Sequence, residues 1–208
     1  MLKYDRGTVM IYWIDIGTCL GNFRCKPKEL HSIIGKGILN YYLCSVGYTV
    51  ADLAYTKNGK PYFLGLEKYC SVSHSHNIVA VGISKQCIGV DVQYQKKINI
   101  AVMNRYFCSS EQNYVGNHLK HFYQIWCGKE ALVKYLGIRL AEVIKDIEVT
   151  IRGHHFAAVY KGKRYPLTEV NLQDDYEMMI CHRDVDVKCR RLEIEDIIDY
   201  CEFKERIA

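Results

Sequence analysis

The stretches KELHSIIGKGILNYYL at residues 28–43 and HFYQIWCGKEALVKYLG at residues 121–137 decide the fold of this chain. In both, apolar residues recur at intervals of three and four, which predicts one amphipathic helix in each half of the sequence. A glycine-lysine turn follows each helix pattern, with Lys60 in the first half and Lys163 in the second, 103 residues further on. This repeat predicts a duplicated unit of helix and hairpin.

Strand-like segments flank both turns and complete the fold prediction. They are YTVADLAYT at 48–56 and NIVAVGI at 77–83, then HHFAAVY at 154–160 and YEMMICH at 176–182. We therefore expect an α+β fold of two similar subdomains, residues 1–103 and 104–208, in a pseudo-twofold arrangement with the active site at their interface. The alternative is that two unrelated hairpins share a common turn sequence.

Composition excludes several classes of protein. The 208 residues are 49% hydrophobic and 25% charged with three prolines, as in globular domains rather than disordered or fibrous chains. We expect no membrane span, and the first ten residues have no pattern of a signal peptide, so we expect a cytoplasmic protein. The ten cysteines include no CxxC pair, which favours reduced, packed thiols over a zinc cluster.

The positive charge is concentrated in one half of the chain. Residues 1–103 contain 12 Lys and Arg against 6 Asp and Glu, whereas residues 104–208 contain 16 against 17. Such a bias indicates that the first half binds an anion, although solvated lysines alone would also produce it. We expect no nucleic-acid binding, because the chain has no RNP, KH or zinc-finger pattern and its acids accompany the lysines.

Three local patterns carry polar groups that could act in chemistry. Ser73-His74-Ser75-His76-Asn77 precedes an apolar strand, where it could contact a phosphate or lie at the surface. Gly89-Val90-Asp91-Val92-Gln93 alternates, so that Asp91 and Gln93 share one face of a strand. An acid in that place could begin a magnesium site or be a solvated strand end.

The third pattern is a stripe on the second helix. Trp126, Glu130 and Lys134 are four residues apart and therefore lie on one face. Glu130 and Lys134 could form an ordinary surface ion pair, but the tryptophan indicates a partly buried stripe. We interpret it as apolar at one end and charged at the other.

Five motifs in order resemble those of the Sfp-type 4′-phosphopantetheinyl transferases. They are GKP at residues 59–61, SVSHS at 71–75, GVDVQ at 89–93, RYFCSSE at 105–111 and WCGKEALVK at 126–134. The usual family forms are GKP, NxSHS, GxDxE, RFFxxxE and WxxKExxxK. The resemblance implies the pseudo-dimeric fold of that family over the whole chain, and order together with spacing makes chance agreement unlikely.

The resemblance implies transfer of the phosphopantetheine arm of coenzyme A to a serine of an apo acyl or peptidyl carrier protein, with release of adenosine 3′,5′-bisphosphate. Coenzyme A is then a co-substrate, and its phosphates account for the basic first half. By position in the motifs, coenzyme A would contact Lys28, His31, Lys60, Ser73 and His74, with Lys129 and Lys134 from the second half. His31 stands where an arginine is common in the family.

The same resemblance implies a magnesium site made of Asp91, Glu130 and Gln93, with Glu130 also accepting the serine proton and Lys134 stabilising the leaving phosphate. Gln93 replaces the second acid of GxDxE, which predicts weaker magnesium affinity or a changed preference for manganese. A noncatalytic relative that binds coenzyme A or a carrier protein is the alternative.

The expected partners follow from this reaction. An acidic carrier protein would suit a basic or apolar surface, and residues 96–103, KKINIAVM, lie where family members receive the carrier. Those residues could equally form a linker. An internally duplicated chain can complete its site alone, so we expect a monomer. The sequence leaves open whether the carrier serves fatty acid, polyketide or peptide synthesis.

Overall fold

The computed structural model of the chain describes residues 7–17, 26–57, 59–184 and 186–202. The chain divides into two compact units. Unit 1 consists of Met1–Lys85 with Asp184–Ala208, and unit 2 of Gln86–Arg183. Each unit combines helices with β-sheet, which confirms the α+β class.

Unit 1 is built on a four-stranded sheet. Its strands, in spatial order, are β11 (Asp186–Arg191), β1 (Thr8–Asp15), β5 (Ile78–Ser84) and β4 (Tyr69–Ser75). Strand β11 runs parallel to β1, and the other neighbours are antiparallel. A separate short hairpin joins β2 (Leu53–Tyr55) to β3 (Pro61–Phe63), and the helices are α1 (Pro27–Ser45) and α6 (Ile194–Ile197).

Helix α1 forms the core of unit 1 against one face of this sheet. Pro27 starts the helix, where its missing N–H costs nothing. Leu30, Ile34 and Ile38 follow at helical spacing and are fully buried. Gly35 allows close packing, since a Cβ there would lie 3.0 Å from Val72 of β4.

Unit 2 is built on a five-stranded antiparallel sheet. Its strands, in spatial order, are β6 (Gly89–Tyr94), β10 (Tyr176–Cys181), β9 (Lys163–Glu169), β8 (His155–Tyr160) and β7 (Ile147–Arg152). Its helices are α2 (Ile100–Tyr106), α3 (Ser109–Val115), α4 (Leu119–Leu136) and α5 (Leu140–Val143). The hairpin between β8 and β9 turns at Lys161 and Gly162, both with positive φ, as a type I′ turn requires.

Helix α4 packs across β6 and β10 of this sheet. The contact with β6 is very close, because a Cβ at Gly89 would overlap the carbonyl oxygen of Ala131. Only glycine therefore allows the strand and the helix backbone to touch at this point. The helix ends at Gly137, which adopts the left-handed conformation typical of a C-terminal cap.

The division of the chain differs from the predicted boundary at residue 103. Strand β6, with Asp91, pairs with β10 and packs against α4, and it therefore belongs to the second unit. The last strand, β11, pairs with β1 and therefore belongs to the first unit. The sequence pattern missed both long-range pairings because periodicity reports only local structure.

The predicted helices and most of the predicted strands are present. Residues 28–43 and 121–137 lie almost wholly within α1 and α4, and the strands near residues 77–83, 154–160 and 176–182 form. The segment 48–56 is mostly not a strand, because Val50–Asp52 forms a 3₁₀ turn closed by an Asp52 capping box. Asn58 of the predicted turn lies outside the described residues.

Candidate functional site

Asp91 lies at the centre of a charged cluster in unit 2. Its side chain is 1% exposed, on the face of β6 that α4 covers. Lys134 Nζ donates to Asp91 Oδ1 at 2.8 Å, and Gln93 Nε2 donates to Asp91 Oδ2 at 3.1 Å. Both oxygens of this buried carboxylate therefore have charge-assisted or amide hydrogen bonds.

Glu130 brings a second carboxylate to the same cluster. It lies one helical turn before Lys134, and the indole of Trp126 hydrogen-bonds to it. Burial and the nearby charge of Asp91 raise the pKa of the Glu130 carboxyl to about 7, although Lys134 and Trp126 act in the opposite direction. The predicted stripe of Trp126, Glu130 and Lys134 on α4 therefore faces Asp91 on β6.

The donor set of this cluster fits a hard divalent cation. Two carboxylates lie close enough to repel each other, and a cation between them would relieve that repulsion. Gln93 gives its amide N–H to Asp91, which leaves its oxygen as a neutral ligand atom. Magnesium usually binds one or two protein carboxylates and keeps several waters, so this set is sufficient.

Among the residues that the structure describes, no third negatively charged ligand converges on this cluster. Across the described parts of the chain, no group of three or more His, Cys, Asp or Glu side chains is placed to hold a metal ion directly. A cation would therefore contact two carboxylates, as the replacement of the motif acid by Gln93 predicts.

Lys129 does not fit its predicted role as a phosphate ligand. Its side chain is fully buried, pairs with Glu111 at 2.9 Å and donates to the carbonyl of Ile147. The ammonium also lies over the ring of Phe107. The lysine of the WxxKExxxK pattern is therefore part of the core of unit 2, because α4 turns it away from Glu130 and Lys134.

Glu111, the last residue of the RYFCSSE motif, has a structural role that the sequence interpretation did not assign to it. This fully buried acid accepts hydrogen bonds from the backbone N–H of Cys108 and of Val149, besides its ion pair with Lys129. It joins α3, α4 and β7. Its signal in the sequence was the N-terminal capping pattern, in which a Glu three residues after the cap residue reaches back to the cap N–H.

Unit 1 brings together three of the predicted coenzyme A residues. The imidazoles of His31 on α1 and His74 on β4 are stacked with ring centres 4.5 Å apart. His31 Nε2 donates to the carbonyl of His76 at 2.7 Å, which fixes the ring. Lys28 lies three residues before His31 and is exposed in the first turn of α1. Lys28 and His74 are exposed, whereas His31 is buried behind them. A lysine and an imidazole exposed near a helix N-terminus suit a phosphate.

Ser73 and Lys60 complete the predicted set in unit 1. Ser73 is buried in β4, the strand that comes directly before the apolar strand β5. Lys60 is half-buried before β3, where its charge acts on the Cys70 thiol. Burial raises the pKa of that thiol to about 12, and Lys60 lowers it only partly.

Two further acids lie near the cluster of unit 2 and were also missed. Glu177 on β10 is paired across the sheet with Gln93, and its carboxyl hydrogen-bonds to that of Glu169. Lys120 Nζ contacts Glu169 Oε1 at 2.6 Å. Sequence reasoning could not find Glu177, because its position beside Gln93 depends on the pairing of strands more than 80 residues apart.

Two general predictions concern cysteines and membranes. The eight cysteines that the structure describes are all free thiols, and Cys19 and Cys25 lie outside the described residues. Within residues 7–17, 26–57, 59–184 and 186–202 we find no helix with the length and hydrophobicity of a membrane span.

Comparison with known proteins agrees with the motifs. Residues 87–181 match the model of the 4′-phosphopantetheinyl transferase superfamily. The chain is 24% identical over 161 residues to the 4′-phosphopantetheinyl transferase gsp of Aneurinibacillus migulanus, covering 72% of this chain and 67% of that protein. It is 23% identical over 132 residues to a 4′-phosphopantetheinyl transferase of Bacillus subtilis, covering 59% of each.

A third relative carries the name of the type that the motifs resemble. The 4′-phosphopantetheinyl transferase Sfp of Bacillus subtilis strain 168 is 26% identical over 99 residues, 45% of this chain and 44% of that protein. The chain thus spans from under half to about two thirds of the length of these relatives. The chain is therefore similar to the 4′-phosphopantetheinyl transferase superfamily through its residues 87–181.

Proposed function

We propose that this protein transfers the 4′-phosphopantetheine arm of coenzyme A to a serine of an apo carrier protein and releases adenosine 3′,5′-bisphosphate. One observation carries the proposal. Asp91, Glu130 and Lys134 form a single charged cluster on β6 and α4, inside the part of the chain that matches the superfamily. Buried like charges beside a cation are costly for stability and typical of active sites.

The cation site would consist of Asp91, Glu130 and the side-chain oxygen of Gln93, and it would hold Mg²⁺ or Mn²⁺. The bound ion would neutralise pyrophosphate charge and favour attack at phosphorus. The fit rests on the hard-oxygen donors and on the two carboxylates that repel each other.

Glu130 is the candidate base for the incoming serine. Its pKa of about 7 is close to neutral, where a carboxylate can both exist and accept a proton. The serine oxygen forms a bond to the phosphorus that carries the pantetheine arm, and the bond from that phosphorus to the bridging oxygen breaks. The electron pair leaves with the 5′-phosphate of adenosine 3′,5′-bisphosphate, where the charge of Lys134 would stabilise it.

The coenzyme A contacts would come from unit 1. The stacked pair of His31 and His74, with Lys28 in the same helix turn as His31, offers hydrogen-bond donors and positive charge for phosphate oxygens. Lys60 and Ser73 extend the set by their positions in the GKP and SHS motifs. The pseudo-twofold arrangement, with a site shared by the two subdomains, is a proposal that rests on the resemblance.

The carrier would meet a surface that includes the start of α2. Ile100 is 55% exposed, whereas Val102 and Met103 pack against the core of unit 2. Residues 96–103 thus keep Lys96, Lys97 and Ile100 available for an acidic carrier helix. A monomeric, cytoplasmic enzyme remains the prediction.

The test is the intact mass of an apo acyl or peptidyl carrier protein after incubation with this protein, coenzyme A and Mg²⁺. We expect a gain of about 340 Da, the mass of one phosphopantetheine group, which EDTA abolishes. Glu142→Gln on the short helix α5 is the matched control for Glu130→Gln. Coenzyme A binding without any mass gain, across several carriers, would contradict the proposal.

A second candidate function is a noncatalytic relative that binds coenzyme A or a carrier protein. Gln93 favours it, because the amide leaves the cation site one charge short of the usual family motif. The same mass experiment separates the two functions, since only an enzyme labels more carrier than there is protein in the tube.

A further inference from the structure

Glu177 occupies the position beside the missing acid. In the antiparallel pair of β6 and β10, Glu177 lies directly opposite Gln93, and Met179 lies opposite Asp91. Side chains two residues apart share a face of a sheet, and directly paired residues share it as well. Asp91, Gln93 and Glu177 are therefore on one face, with Cβ atoms of Gln93 and Glu177 roughly 5 Å apart.

The carboxyl of Glu177 is buried and only partly satisfied. The residue is 2% exposed and a hydrogen bond joins it to Glu169, but its Oε1 has no hydrogen-bond partner among the residues that the structure describes. An unpaired buried carboxyl oxygen costs free energy, so such an atom normally has a ligand or a water. Burial and the charge of Glu169 raise the pKa of Glu177 to about 8, while Lys120 opposes this shift.

Cys127 shows that Glu177 and the cation cluster share one environment. This fully buried thiol of α4 donates to the backbone carbonyl of Glu177 at 3.5 Å. Burial raises its pKa well above the usual value, and the charges of Asp91, Glu177 and Glu130 all add to the increase. The three carboxyl groups therefore all lie near one thiol, although, among the described residues, they do not converge as ligands on a single point.

We propose that Glu177 is the third acid of the cation site and supplies, from β10, the charge that Gln93 lacks on β6. Asp91 and Glu130 would contact the ion, and Glu177 would release its proton to solvent when the cation binds and act on the ion through its water shell. It is a positioning residue, not a catalytic one. The identity of the ion as Mg²⁺ or Mn²⁺ rests on the proposed function, whereas the placement of Glu177 does not. Acids that act on a metal through water change its affinity roughly tenfold or more.

The test measures binding of Mn²⁺ to the full-length protein alone, from the electron paramagnetic resonance signal of free Mn²⁺. We expect Glu177→Gln to weaken binding about tenfold. Adding Gln93→Glu to that variant should restore most of the affinity, because the charge returns to the neighbouring strand. Glu148→Gln, an exposed acid on β7, is the control and should bind as the unchanged protein does.

Equal Mn²⁺ affinity in Glu177→Gln and the unchanged protein would overturn the proposal, as would an equal loss in Glu148→Gln. A thermal melt by circular dichroism verifies the fold of each variant. If Glu177→Gln does not fold, Glu177→Met replaces it, because it also removes the carboxyl group, and unchanged affinity there, with Gln93→Glu also without effect, overturns the proposal. A protein that shows this binding series yet labels no carrier would contradict the proposed function and leave the inference standing.

Discussion

The long helices of the two units pack against their sheets in a similar way but bury different side chains. Helix α1 of unit 1 and helix α4 of unit 2 are 19 and 18 residues long, and each packs against a β-sheet with a glycine at the contact. The polar residues that α1 buries are His31 and Asn40. Helix α4 buries Lys129 and places Glu130 and Lys134 beside a buried aspartate.

This difference shows that helix α4 of unit 2, unlike helix α1 of unit 1, packs against buried charged side chains. Burying charges costs stability that hydrophobic residues would not cost, so paired charges in a core need a structural or a chemical reason. In unit 2 the ion pair of Lys129 with Glu111 connects three structural elements. The carboxyl groups of Asp91 and Glu130, by contrast, repel each other, and the fold keeps them close. We therefore expect variants of unit 2 to change rate or stability, and variants of unit 1 to change coenzyme A affinity.

Glu130→Gln is expected to have the largest effect. It keeps the shape of the side chain but removes the base and one cation ligand, so the rate of carrier labelling should fall by ~10² to 10⁴-fold. The rate is measured by intact mass over time, with Glu142→Gln as the control. A Glu130→Gln protein that labels carrier at the normal rate would end the assignment of the base.

Lys129 and Lys134 of α4 allow a structural role to be distinguished from a role in the reaction. Lys129→Met should lower the free energy of unfolding by ~3–5 kcal/mol, because it leaves Glu111 buried without its counter-charge. Lys134→Met should reduce transfer and also lower the free energy of unfolding, but by less than Lys129→Met does, since Lys134 is partly exposed whereas Lys129 is fully buried. Urea titrations and labelling rates measure both. A stable Lys129→Met variant with a raised KM for coenzyme A would restore the predicted phosphate contact.

His74→Ala tests unit 1. We expect the KM for coenzyme A to rise about tenfold with little change in kcat, because a hydrogen bond to a charged phosphate is lost. His154→Ala, an exposed histidine between β7 and β8, provides the control. A drop in kcat at unchanged KM would mean that unit 1 takes part in the chemical step and would remove the contrast between the two helices.

The pH dependence of stability should carry a contribution from Glu177. Its pKa is raised to about 8, so the folded chain holds this proton between roughly pH 4.5 and 8 while the unfolded chain releases it. The contribution of Glu177 to stability is therefore full below pH 4.5 and declines as the pH rises to 8. Glu177→Gln should lose that decline and gain stability at pH 9 relative to the unchanged protein. Parallel melting curves for both proteins from pH 5 to 9 would contradict this.

Gln93→Glu is expected to give the smallest effect. The extra charge should lower the Mg²⁺ concentration needed for half-maximal labelling by a few-fold, because carboxylates bind this ion more strongly than amides do. The measurement is a Mg²⁺ titration of the labelling rate. An unchanged midpoint would place the side chain of residue 93 outside the cation site.

The sequence predicts those parts of the fold and of the site that depend on local periodicity. Spacing of four along α4 brings Trp126, Glu130 and Lys134 to one face, and alternation along β6 aligns Asp91 with Gln93. It does not predict which face of α4 lies against the core, and therefore it does not reveal that Lys129 is buried. Local periodicity also does not predict pairings between distant strands. It therefore reveals neither the position of Glu177 beside Gln93 nor the pairing of β11 with β1.

Gly89, the first residue of the GVDVQ motif, sets the distance between β6 and α4. Because the missing Cβ lets β6 touch the backbone of Ala131, the gap between strand and helix has a fixed width, and with it the separation of Asp91 from the side chains of Glu130 and Lys134. The smallest residue in the protein thus serves as a spacer. Even an alanine at position 89 would move β6 away from α4 and so separate Asp91 from Glu130 and Lys134. The variant would keep all three side chains but lose the distances between them.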